Sequence, residues 1–279
     1  SREHRPSFRE AGPAAALLVH DVLGTPAEMQ PLADALLAGG WSAQTILLPG
    51  FGPDIGKLVD MDYVDWSAAI ADAMNTLQER FCPVMVVAHG FAAHLALPMV
   101  AGQPDVGLAA IAPISHLGGL RERVTWRLCR RLVGHVDPLR GKSPADPPLR
   151  EALHAMAPAA ELDDLPVAVA ISHMRVPRRL IDQFEQAAWI GRRAATRFGG
   201  PALFVEDAAT SRPRDTLRWL ERFAVRPAHI VLSGEGRLLD PQGPAWPELT
   251  RALLEFGGRV QATCTRERVR RPCPPTVSG

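Results

Sequence analysis

Lysine is almost missing from this 279-residue chain. Lys57 and Lys142 are the only two, and arginine supplies nearly all the basic charge. Such a skew is read first as nucleotide-composition bias in the gene and only second as function. Net charge is missing too. The 31 basic and 30 acidic residues leave +1, which removes any global drive toward nucleic acid or anionic lipid. No uninterrupted apolar run approaches the ~18 residues of a membrane span, so no transmembrane segment is expected. Ser1 to Gly12 is polar and charged and lacks a secretory apolar core. The four cysteines, Cys82, Cys129, Cys264 and Cys273, form no C-x-x-C pair. A reduced, cytoplasmic setting is the default expectation.

What remains is 47% hydrophobic and 22% charged, the composition of one large globular domain or of a core with a small cap. Ala14 to His20 is a short apolar run that suits a buried strand. Pro26 to Ala38 has helical spacing through Met29, Leu32, Leu36 and Leu37, and stops at Gly39-Gly40. Trp41 to Leu48 reads as a second strand closed by the turn Pro49-Gly50-Phe51-Gly52. Val64 to Arg80 reads as a long amphipathic helix, Pro83 to Ala88 as a strand, Phe91 to Val100 as a helix and Leu108 to Ile114 as a strand. Strand–helix alternation of this kind predicts a mostly parallel sheet with helices on both faces. The regularity fails from Leu117 to Phe198, where helix-like pieces, arginines and prolines dominate. It returns at Pro201 to Val205, with a helix near Arg214 to Phe223, a strand near Ala228 to Leu232 and a helix near Trp246 to Phe256. The expected division is a core of 1–116, a helical cap of 117–198, a second core part of 199–257, and a basic, proline-containing tail of 258–279.

The stretch Met85 to Ala93 has the shape of a nucleophile elbow, in which a Gly-x-Ser-x-Gly serine sits on a sharp strand-to-helix turn. At its centre stands Gly90, flanked by His89 and Phe91. Glycine has no side chain and no oxygen with which to attack a carbonyl.

Several strings around this elbow resemble the carboxylesterase and monoacylglycerol-lipase branch of the α/β-hydrolases. They are Leu17-Leu18-Val19-His20, Gly24-Thr25-Pro26-x-Glu28-Met29, Leu47-Leu48-Pro49-Gly50-Phe51-Gly52 and Asp65-Trp66. A fainter match runs through Pro201 to Val205 and Leu232 to Gly236. The resemblance implies an α/β-hydrolase fold with a helical cap. It also implies a triad in chain order serine, acid, histidine, plus an oxyanion hole. Transferred position by position, the serine falls on Gly90. The acid falls on Thr210, or on Ala209 if the gap is shorter. The base falls on Arg237, which stays protonated near neutral pH and cannot serve as a base. The family's His-Gly of the oxyanion loop becomes His20-Asp21, followed by Val22. A carboxylate there opposes an oxyanion instead of stabilising it.

These losses together predict a chain that keeps a hydrolase frame without serine chemistry, acting as a binding module or a subunit of a larger complex. The competing expectations are a divergent carboxylesterase or lipase, and a non-hydrolytic enzyme built on His20, Asp21 and His89. His20, Asp21, His89 and His116 are expected near the pocket floor, in structural roles before metal-binding ones, so neither metal nor cofactor is expected. Cys82 is read as a small core residue and His94 as a packed helix residue. Glu206 and Asp207 are read as a solvated loop whose side chains point opposite ways. Partners are expected to be proteins, through the basic pairs of the cap and the arginine-rich tail. A small apolar molecule in the cleft is the other candidate.

Overall fold

The computed structural model describes residues 5–21, 24–103, 105–114, 134–136, 175–209, 213–234 and 238–270. Its centre is a sheet of seven strands: β1 (Ser7–Arg9), β2 (Ala15–Val19), β3 (Ser42–Ile46), β4 (Val84–His89), β5 (Val106–Ile111), β8 (Ala202–Asp207) and β9 (Ala228–Leu232). They lie in the order β1-β3-β2-β4-β5-β8-β9. All neighbours are parallel except β1, which runs antiparallel to β3 with Phe8 opposite Gln44. The two central strands, β2 and β4, are buried along nearly their whole length. That is why they read as continuous apolar runs and not as alternating ones.

Alternate residues of each strand serve two separate cores. Leu17, Val86, Leu108 and Phe204 face one cluster. Leu18, Val87, Ala109 and Val205 face the other. The first cluster is covered by α2 (Tyr63–Gln78), α3 (Ala92–Val100), α4 (Arg178–Ala194) and α5 (Pro213–Leu220). The second is covered by α1 (Pro26–Ala38) and α6 (Trp246–Arg270). Pro26 opens α1 at its first turn, where the missing N–H costs nothing. Asp62 and Asp65 form a reciprocal capping box at the start of α2.

Three expectations change. The last helix does not stop near Phe256 but runs through Arg270, and Val260 and Cys264 are buried on it. Residues expected to begin the tail at 258 are therefore part of the domain. Gly257 does not end this helix because it serves a close approach instead. A Cβ there would lie 2.9 Å from the Trp41 ring. The cap boundary also moves, because Leu180, Phe184 and Ala187 of α4 join the first core and do not stand above it. Last, Glu206 and Asp207 are not a solvated loop. They are the final residues of β8, each 2% exposed. A short antiparallel ribbon, β6 (His135–Val136) with β7 (Val176–Pro177), brackets residues 137–175.

Candidate functional site

Parallel α/β sheets place their sites beyond the carboxyl ends of the strands. Here that edge carries His20 and Asp21 after β2, His89 and Gly90 at the end of β4, and Glu206 and Asp207 at the end of β8. The turn after β4 is an elbow. Gly90 has φ +57°, a left-handed backbone that L side chains rarely adopt, and Phe91 leads directly into α3. The turn is braced from several sides. Gly90 N donates to Ile111 O at 2.9 Å, and the Phe91 ring packs edge-on against Phe184 of α4 at 5.2 Å. Phe184 in turn stacks on Trp66 of α2, again at 5.2 Å.

Asp21 sits directly over this elbow. Its Oδ1 accepts a 2.8 Å hydrogen bond from the backbone N–H of Phe91. A Cβ placed on Gly90 would overlap the Asp21 carboxyl group on all three of its outer atoms. In an elbow of this design, the N–H after the nucleophile is an oxyanion-hole donor. The Asp21 carboxylate therefore takes that donor and also fills the space of a nucleophile side chain.

The loop holding Asp21 is fixed at each backbone group. Its N–H donates to Glu28 Oε1 at 2.7 Å, and its carbonyl accepts from Gly24 N at 2.9 Å. Leu48 N–H donates to His20 Nε2 at 3.0 Å. That leaves the proton on Nδ1, which donates to the Asp21 carbonyl at 2.6 Å. His20 is fully buried and both its ring nitrogens are engaged with backbone. Glu28 lies in the first turn of α1, and its Oε1 also takes the Nδ1–H of His89 at 2.9 Å, with about a fifth of each side chain exposed. Burial works against charge on both groups, but pairing wins. The imidazolium beside Glu28 holds its carboxyl below the usual range, and the Glu28 and Asp21 charges hold His89 above the usual imidazole value.

His20, Asp21, His89, Gly90 and Phe91 are linked through Glu28 and the Phe91 amide. Within this group His89 turns to Glu28 and His20 to backbone, which does not assemble a three-residue acid–base set. His94 is a packed residue, 1% exposed and stacked on Trp219 at 4.2 Å. Val22, His116, Thr210 and Arg237 lie outside the described residues, and Ala209, the alternative acid position, is an exposed turn residue after β8. Glu206 and Asp207 do diverge: Glu206 Oε2 meets Nε2 of His229 at 2.8 Å, while Asp207 Oδ1 accepts from Ala209 N. Among the described residues, no cluster of His, Cys, Asp and Glu could hold a metal ion. No helix there is long and apolar enough to cross a membrane. Sequence reasoning missed Glu28. Its place in the string Gly24-Thr25-Pro26-x-Glu28 was a usable signal, because a carboxylate one turn into a helix can turn back onto the preceding loop.

No protein-family model matches the chain. It is 25% identical over 174 residues to the thermostable monoacylglycerol lipase of Bacillus sp. (strain H-257), covering 62% of this chain and 68% of that one. Its structure resembles that of a metagenome-derived lipolytic enzyme of the LipS and LipT pair, with TM-score 0.70 at 15% identity, covering 92% and 98% of the two chains. It also resembles the monoacylglycerol lipase of Paleococcus ferrophilus, with TM-score 0.66 at 16% identity over 93% and 98%. The chain has the α/β-hydrolase fold. Its likenesses run to the monoacylglycerol lipase and esterase type.

Proposed function

We propose that this chain is a lipase- and esterase-type α/β-hydrolase that has given up serine chemistry and works by binding, as a module or a subunit of a larger assembly. The observation that supports this most directly is the Asp21 carboxylate on the Phe91 amide, above a Gly90 with no side chain. A negative group on the oxyanion donor opposes the charge that develops in acyl transfer. The ligand of this reading is a small apolar molecule or a protein partner, and cytoplasmic residence is part of the same proposal.

The test is a fluorophosphonate serine probe together with p-nitrophenyl esters of short and medium chains. The expected outcome is no labelled serine and no turnover above the buffer rate. Stoichiometric labelling of one serine overturns the reading. Co-purification of the native protein with stoichiometric partner chains supports the subunit form of it.

A second reading is favoured by the relatives, which are named as lipases: a divergent hydrolase of carboxylic esters that uses another nucleophile. Turnover of a monoacylglycerol without probe labelling would select it.

A further inference from the structure

We propose that the groove between α1 and the start of α6 is a docking site for the proline-rich segment 272–275 of a second copy of this chain. Two copies exchange these segments and so hold each other. None of the residues lining the groove belongs to the elbow, so the proposal is independent of whether a serine reacts.

Three observations carry it. The first is shape. A pocket of about 440 Å³ opens between the two helices. Ala27, Pro31 and Ala35 recur about one turn apart on α1 and line it with small side chains. Pro241 and Trp246, at the start of α6, line its other side. Ala27 and Ala35 lie about 12 Å apart along the helix axis. An extended polyproline segment rises about 3.1 Å per residue, so the groove suits about four residues. Pro272, Cys273, Pro274 and Pro275 are such a run, with Pro272 and Pro275 at P-x-x-P spacing.

The second is chemistry. Grooves lined by aromatic rings take proline-rich strands, whose backbone carbonyls have no internal partners. Trp246 is half-buried in this groove, and its indole N–H donates to no acceptor among the described residues. At the rim, Asp34 Oδ1 accepts from Arg9 and, at 3.2 Å, from Gln30 Nε2. Its Oδ2 accepts from none of the described residues and suits the guanidinium of Arg271, which stands just before Pro272. The third is reach. The 25 residues of α6 from Trp246 to Arg270 span about 37 Å. Residues 271–275, fully stretched, return at most about 18 Å. A chain cannot fill its own groove, so the segment comes from a second copy. Two such engagements, exchanged across a two-fold axis, reinforce each other.

The test is sedimentation of the full chain in reducing buffer, which keeps Cys273 from cross-linking copies. A concentration-dependent dimer is expected. Pro272→Ser, Pro274→Ser and Pro275→Ser together should abolish it, and so should Ala27→Arg, which puts a long side chain into the groove. Mixing these two variants should restore a heterodimer, because one intact segment then meets one intact groove. A synthetic peptide of residues 269–276 should split the native dimer. Its affinity, read by calorimetry, should fall at least tenfold in Trp246→Phe, which keeps a ring and loses the N–H. A native monomer overturns the proposal; if that monomer binds the peptide, the occupant is a proline-rich segment of another protein. A dimer indifferent to the three serines overturns it too, as does a mixture of the two variants that stays monomeric. Should Ala27→Arg not fold, the peptide carries the test on the native protein, and a dimer that the peptide leaves intact overturns the exchange. Serine-probe labelling bears on the reaction alone and moves none of these readouts.

Discussion

Two carboxylate–imidazole pairs stand at the carboxyl edge of the sheet, and they do different work. Glu28 meets His89 at 2.9 Å and Glu206 meets His229 at 2.8 Å. The contact chemistry is the same. Glu206 and His229 lie on adjacent strands, β8 and β9, and tie the sheet to its own edge. Glu28 and His89 lie on a helix and a strand, and Glu28 also holds the backbone N–H of Asp21. One pair fastens two elements already hydrogen-bonded to each other. The other fastens a loop that nothing in the ladder would hold. A polar pair acquires a role in the site through the third group it touches.

The largest break in this comparison should come from Glu28→Ala. It leaves His89 without its counter-ion and the Asp21 N–H without its acceptor, at a cost of about 2–3 kcal/mol. Chemical denaturation measures the loss, and the Phe91 amide should exchange faster as the Asp21 carboxylate loosens from it. A variant as stable as the native protein would mean that the hydrogen bonds of His20 and Gly24 to the Asp21 carbonyl suffice to hold the loop.

The pH response sharpens the same pair. The carboxyl of Glu28 is lowered on folding, so its contribution is full above about 4.5 and is lost as pH falls through the lower folded value. His89 is raised on folding, so its contribution is full below about 6.5 and is lost as pH rises through the higher folded value. The stability gap between native protein and His89→Asn should therefore be widest between about pH 4.5 and 6.5 and should narrow on both sides. Thermal midpoints of the two proteins across pH 3–9 check this. A gap that widens steadily toward alkaline pH would contradict the assigned charges.

The smallest effect is expected from Glu206→Gln, about 1 kcal/mol, because an amide oxygen can still accept from His229. It should leave the Phe91 amide untouched. Equal effects of Glu206→Gln and Glu28→Ala on that amide would erase the distinction between the two pairs.

Much of this frame was legible along the chain. Continuous apolar runs at Ala14 to His20 and Pro83 to Ala88 exposed the buried parallel strands, and the glycine at the elbow centre was plain. The rest was hidden for physical reasons. The contact of Asp21 with Gly90 and Phe91 spans some seventy positions, and no local pattern encodes which loop falls over which turn. Glu206 and Asp207 suggested a solvated loop because charge is the usual mark of exposure, yet both close a buried strand. Gly257-Gly258 suggested a helix stop because glycine so often provides one. In the fold, the missing Cβ of Gly257 makes room for Trp41, and the helix continues.

The ribbon of β6 and β7 has its own consequence. Val136 lies directly opposite Val176, so the chain enters and leaves the segment 137–175 at a single doorway, with its two ends about 5 Å apart. The seven strands of the main sheet among the described residues all lie outside that segment. The two sides of the doorway are close enough that a tight turn from Val136 to Val176 would rejoin the chain across it, at a loop-closure cost that grows only slowly with the length of what lies between.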